Sequence, residues 1–208
     1  MRRPLIFVAG LIGLGGAVGL ISAKTIPLTG PIHPAAQELP VYGEVPAFTL
    51  IDQETSTVTR TTLSGTVWIV DFIFTRCAGQ CPLISAQMAT LQHACEGIRD
   101  IHFLTVSVDP QHDTPHVLAA YAQHYGAHQE GWRWVTGTEE AVTQLVQQGF
   151  HLALGYDGGP HEPITHSVKL VLVDRHSRIR GYYDATESDA MVRLQQDARL
   201  LAAERRTP

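Results

Sequence analysis

The segment Thr75-Arg76-Cys77-Ala78-Gly79-Gln80-Cys81-Pro82 holds the side chains best placed for chemistry. Two cysteines with Gly79 between them can bring their sulfurs together, either in a disulfide or on a shared soft metal. Pro82 suits the first turn of a helix, so Cys81 falls near the N-cap, where the helix dipole and Arg76 favour a thiolate. Two thiolates from one loop leave a tetrahedral zinc shell incomplete, and three cysteines provide no second pair. A third ligand then comes from elsewhere, and the 11 histidines are the candidates. His112, His116, His124 and His128 lie in or beside one helix and read as solvated. His166 is placed differently: it follows the loop GYDGGPHEPIT and stands at the mouth of an apolar strand, which suits a ligand held by a rigid scaffold. His161, in the same loop, is its rival. Sulfur donors favour Cu(I) and an imidazole helps accommodate Cu(II), so the set suits copper; zinc on the same donors would keep an open position. Cys95 and Met88 read instead as packed core residues.

The elements that position these residues alternate between two periodicities. Val67 to Phe74 is a near-continuous apolar, β-branched run, the pattern of a central buried strand, and it ends directly at the cysteine segment. Leu83, Met88 and Leu91 mark a helix from about Pro82 to Ala94. Strands are predicted at Phe48 to Ile51 and Ile101 to Val108, and helices at Thr114 to Tyr125 behind the N-cap candidate Asp113 and at Glu139 to Gln148. Val168 to Val173 and Ile179 to Tyr183, separated by DRHSR, predict a hairpin, and a last helix runs from Ser188 to about Glu204. This order gives an α/β fold, and a thioredoxin-like sandwich with one inserted helix accommodates it. Trp132 and Trp134 are expected to pack or to line a partner surface.

Composition narrows the function further. The chain has 208 residues, 44% hydrophobic and 17% charged, which excludes an intrinsically disordered chain and a coiled coil. With 15 basic against 20 acidic residues and no basic run, it lacks the electrostatic footprint of nucleic-acid binding. Residues 5 to 23 carry no charge and follow Arg2-Arg3, which predicts an N-terminal membrane anchor or signal over residues 1–23. The positive flank places the rest of the chain on the non-cytoplasmic side, and the absence of a Ser/Arg-rich transit region favours a bacterial inner membrane over a mitochondrial one. Residues 24–46, rich in proline, read as an extended tether, and residues 47–208 as the folded domain.

The run FIFTRCAGQCP, the later SVDPQHDTP, the segment WRWVTGT, and THS ahead of an apolar strand together resemble the Sco/SenC copper-binding proteins over about residues 41–204. The resemblance implies a thioredoxin-like fold, an N-terminal membrane anchor and copper on Cys77, Cys81 and His166. It also implies a part in assembling the binuclear copper site of cytochrome c oxidase, as copper donor, as reductant of that site's cysteines, or as both. The implied partners are oxidase subunit II or another copper-site protein, and a thiol reductant protein. Asp109 and Asp113 match the family's Asp-Pro-x-x-Asp segment. Two positions depart from the family: Thr165 stands where an aspartate usually precedes the histidine, and Asp174-Arg175-His176 replaces a Pro-Asp-Gly turn. The first departure removes a carboxylate partner for the imidazole.

Two other activities use the same loop. A membrane-tethered thiol-disulfide oxidoreductase needs only Cys77 and Cys81 as a redox couple, one thiolate attacking and the other resolving, although its usual spacing is Cys-x2-Cys. A peroxidase would pair a reactive cysteine with Thr75, but the proline such sites carry before the hydroxyl residue is absent.

Overall fold

The computed structural model describes residues 38–127, 131–157, 159 and 163–204. In chain order these form β1 (Gly43–Glu44), β2 (Thr49–Asp52), β3 (Thr57–Thr59), α1 (Arg60–Leu63), β4 (Val67–Ile73), α2 (Cys81–Ala94), β5 (Ile101–Ser107) and α3 (Pro115–His124). Then follow β6 (Trp132–Thr136), α4 (Glu139–Gln144) with a π-helical turn over Leu145–Gly149, β7 (Leu154–Gly155), β8 (Thr165–His166), β9 (Lys169–Val173), β10 (Arg178–Asp184) and α5 (Ser188–Ala203). An eight-stranded sheet runs in the order β1-β10-β9-β4-β5-β6-β2-β3, and β7 pairs with β8 apart from it.

All seven residues of β4 are buried, because strands lie on both its edges and helices α2 and α5 contact it. Burial on both faces is what makes an apolar run continuous rather than alternating. β4 runs parallel to β5 and antiparallel to β9, so the hairpin β9–β10 closes one side of the sheet as its sequence predicts. Trp132 and Trp134 stack at 5.0 Å between ring centroids and are buried, so they pack into the core. Met88 and Cys95 are buried as well.

The hairpin turn is built without a Pro-Asp-Gly sequence. Asp174 Oδ1 accepts from the backbone N–H of His176 (2.9 Å) and of Arg178 (3.0 Å), and Ser177 takes a left-handed φ of 60°. Such a side-chain-to-backbone turn is a familiar use of aspartate.

Several boundaries differ from the sequence expectation. Asp113 is not the cap of α3; Thr114 is, its Oγ1 accepting from Val117 N at 3.4 Å, while Asp113 turns inward. The predicted helix through Gln148 becomes a π turn after Gln144. Residues 38–46, assigned from sequence to the tether, belong to the folded unit: β1 pairs with β10, and Arg180 donates to the carbonyls of Leu39 (2.6 Å) and Pro40 (3.1 Å). The segment 5–23, His128 and His161 lie outside the described residues. Among the described residues, no helix is long and apolar enough to cross a membrane.

Arg180 is buried and its Nη1 lies 2.8 Å from Asp174 Oδ2. Burial works against the charge on Asp174, yet hydrogen bonds from Arg180, from the Arg178 and His176 backbone and from the Arg178 side chain hold its carboxyl below the usual carboxylate range. Arg180→Met leaves that buried carboxylate with less compensation and frees two carbonyls. A loss of about 3 kcal/mol of stability is expected, in line with breaking a buried ion pair from one side. Urea unfolding of wild type and variant measures it; an unchanged midpoint would show that the pair is dispensable.

Candidate metal centre

Beyond Ile73, where β4 ends, the chain passes through Phe74 into an open loop in which Ala78, Gly79 and Gln80 are exposed. Cys77 lies in this loop, Cys81 is the first residue of α2, and His166 ends the short strand β8. The two sulfurs and one histidine ring nitrogen all lie within 4.8 Å of one another. Both cysteines are free thiols. Cys81 is fully buried, Cys77 is at the edge of burial with 9% exposure, and His166 is half-buried. A metal would therefore approach from the side of Cys77 and the loop.

The imidazole is held from three directions. Pairing of Leu154 in β7 with His166 sets its backbone, and the Phe74 ring packs edge-on against it at 5.7 Å. Nδ1 lies 3.0 Å from the carbonyl oxygen of Ser167. A proton on Nδ1 donates to that carbonyl and leaves Nε2 bare, and Nε2 is the atom 3.2 Å from Cys81 Sγ. The Ser167 carbonyl thus orients the ring in place of a preceding carboxylate, and Thr165 is exposed.

The expectation of a readily formed thiolate at Cys81 is overturned. Burial pushes the Cys81 thiol up, and the neighbouring Cys77 adds to the effect. Arg76, expected to help, is turned to Asp109, with Nε 2.6 Å from Oδ2. Dehydration of the buried sulfur outweighs the helix N-terminus. A soft cation is then the natural counter-charge, since binding it exchanges the thiol protons for the metal.

A comparison with protein families matches the SCO1/SenC model over residues 37–200. The chain belongs to the SCO1/SenC family. The SCO1 protein homolog of Bacillus subtilis is 28% identical over 151 residues, spanning 72% of this chain and 78% of that protein. The solved structure of BsSco, described as a member of the Sco family of cytochrome c oxidase assembly proteins with a disulfide switch, is 25% identical and superposes with a TM-score of 0.72 over 81% of this chain and 100% of that one. Copper-bound ScoI of Bradyrhizobium japonicum, 19% identical, matches with a TM-score of 0.62 over 74% of this chain and 98% of its own. The mixed α/β architecture is the thioredoxin-like fold of these Sco structures.

Within that family frame, the structure brings Cys77, Cys81 and His166 together, and of the other candidate histidines among the described residues, His112, His116 and His124 are exposed and outside this group. Thr75, the candidate peroxidase hydroxyl, donates to Asp113 Oδ1 at 2.5 Å. Sequence reasoning missed three neighbours of the centre. In the sequence Phe74 reads only as strand, the Ser167 carbonyl has no side-chain signature, and Asp71 reads as one more member of an apolar run. A lone acid in such a run is itself a signal, because an ionisable group there is fully desolvated.

Proposed function

We propose that the chain is a membrane-tethered copper metallochaperone that binds copper through Cys77, Cys81 and His166 and assists assembly of the binuclear copper site of cytochrome c oxidase. The observation that supports it most is the convergence of two thiols and one imidazole nitrogen within 4.8 Å. Two thiolates suit Cu(I), and the added nitrogen suits Cu(II), so the donor set fits a cargo met in both oxidation states. Release would follow by ligand exchange, the sulfurs of a partner protein replacing Cys77 before Cys81, because Cys77 is the less buried. The oxidase role rests on membership of the SCO1/SenC family and on what is said of BsSco. Oxidase subunit II or another copper-site protein is the proposed recipient, and a thiol reductant protein would restore Cys77 and Cys81 after oxidation. The uncharged segment at 5–23 is the proposed membrane anchor, with the domain on the periplasmic side of a bacterial inner membrane.

The test uses the full chain in detergent, reduced and anaerobic, loaded with Cu(I) against a competing chelator, beside Cys77→Ser. Retention of about one copper per chain, lost in the variant, is the expected result for a thiolate site. A folded, reduced protein that retains none would move the function to thiol-disulfide exchange by the Cys77/Cys81 couple.

A further inference from the structure

Cys81 starts a helix and His166 sits on a paired strand, but Cys77 has only the loop to place it. Two consecutive residues just ahead of it, Thr75 and Arg76, are both gripped by carboxylates from the segment between β5 and α3. Asp113 is fully buried and takes Thr75 with both oxygens: Oδ2 accepts from the Thr75 backbone N–H at 3.0 Å, and Oδ1 from its hydroxyl at 2.5 Å. Ser107, the last residue of β5, donates its hydroxyl to the same Oδ2 at 2.6 Å and accepts from Asp109 N at 3.1 Å. Asp113 N donates to the Asp109 carbonyl at 2.8 Å, and Asp109 Oδ2 accepts from Arg76 Nε at 2.6 Å. Val108 N donates to Ile73 O at 2.8 Å, so the end of β4 is tied to the same segment.

We infer that Asp113 is a positioning residue for the metal centre, clamping Thr75 so that the sulfur of Cys77 is held at ligand distance from Cys81 and His166 without closing into a disulfide. The inference rests on the copper reading of the same site but has an arm that does not need copper. The chemistry suits the task. A carboxylate has acceptors only, and three donors converge on this one, so its bonds are charge-assisted and directional. An asparagine would turn an amide N–H₂ toward one of those donors. Cys77 N is further pinned to Phe74 O at 3.2 Å, which makes Thr75 the middle of a single tight turn leading into the ligand. A loop released at Thr75 lets the two sulfurs approach, and the disulfide gains relative to the open dithiol.

The experiment compares wild type, Thr75→Val, Thr75→Ser and Asp113→Asn as full chains in detergent. Three quantities are read: the thermal midpoint, the copper affinity from titration of the thiolate-to-Cu(II) absorption against a competing chelator, and the midpoint potential of the metal-free Cys77/Cys81 couple. Thr75→Val keeps side-chain volume and removes one clamp bond. It is expected to lower copper affinity roughly 10–100-fold, the range for residues that orient a ligand. It should also shift the thiol–disulfide equilibrium about tenfold toward the disulfide, near 30 mV more negative. Asp113→Asn should do the same more strongly, and Thr75→Ser, which retains the hydroxyl, should restore both values. Should Asp113→Asn fail to fold, the two Thr75 variants decide alone. A folded Thr75→Val with wild-type copper affinity and potential overturns the inference, as does a Thr75→Ser that behaves like Thr75→Val. If wild type holds no copper but the potentials shift as stated, the copper reading fails and the clamp stands.

Discussion

Replacing His166 with alanine is expected to remove the thiolate-to-Cu(II) absorption while leaving Cu(I) on the two sulfurs. The two oxidation states ask different things of the site. Cu(I) is satisfied by soft thiolates in a low coordination number, whereas Cu(II) gains from nitrogen and from a more complete shell. On the proposed reading His166 would supply the imidazole nitrogen: with Nδ1 directed to the Ser167 carbonyl, its Nε2 faces Cys81 Sγ and would be the atom open to a metal. Cu(II) affinity should therefore fall by more than roughly a hundredfold, beyond what the loss of a merely orienting group produces. Cu(I) affinity should stay within about tenfold of wild type. Competition titrations with each ion, together with visible absorption, check this. Unchanged Cu(II) binding would show that the imidazole is scaffold, and equal loss of both ions would show that it holds Cu(I) as well. The ratio of the two affinities also sets the copper potential, so the variant should favour the reduced ion.

pH acts on this site with a predictable sign. The Cys81 thiol is pushed up by burial, so at neutral pH a metal must displace its proton. Proton release on binding makes apparent copper affinity rise with pH.

Local features of the fold were legible where one residue type leaves one choice. The β-branched apolar run from Val67 has the pattern of a strand buried on both faces, and Pro82 suits the first turn of a helix, and both stand there. The convergence of Cys77 and Cys81 follows from their spacing. That His166, distant in sequence, joins them was supported by its place at the head of β9 and by family resemblance, since no local rule pairs residues so far apart. What sequence did not show were contacts decided by tertiary packing. Asp113 has the right type to cap α3, and Thr114 caps it instead because Asp113 has stronger donors on the far side of the turn. Arg76, next to Cys77 in sequence, has the right charge to favour a thiolate, but it pairs with the Asp109 carboxylate instead. The stretch 38–46 looked like tether because its prolines break periodicity. Its anchor, Arg180, lies 140 residues away in sequence from the Pro40 carbonyl it holds.

Asp71→Asn is expected to stabilise the protein at neutral pH and above, and to have little effect near pH 4. Asp71 sits in the middle of β4, fully buried, and burial pushes its carboxyl up from 3.8 to about 7. Thr105 donates to Oδ1 at 2.6 Å, and Trp132 donates in turn to the Thr105 hydroxyl at 2.9 Å. Oδ2 has no hydrogen-bond partner among the described residues. An oxygen without a donor stabilises no charge, so the neutral acid is the form this pocket favours. The folded state therefore holds its proton more tightly than the unfolded chain. The stability this group contributes is fully present below pH 3.8 and is lost as pH rises through about 7. A rise of that size corresponds to on the order of 4 kcal/mol at most. Asparagine keeps the acceptor for Thr105 and carries no charge, so it removes the slope. The variant should match wild type near pH 4 and exceed it by about 2–4 kcal/mol at pH 8. Urea unfolding of metal-free protein across that range is the check, and parallel profiles for the two proteins would show that Asp71 titrates normally. A charged Asp71 also pushes the Cys81 thiol up. The same substitution should therefore ease thiolate formation at Cys81 and tighten copper binding at pH 8 while leaving it unchanged at pH 5, which ties the buried acid of β4 to the centre at the strand's end.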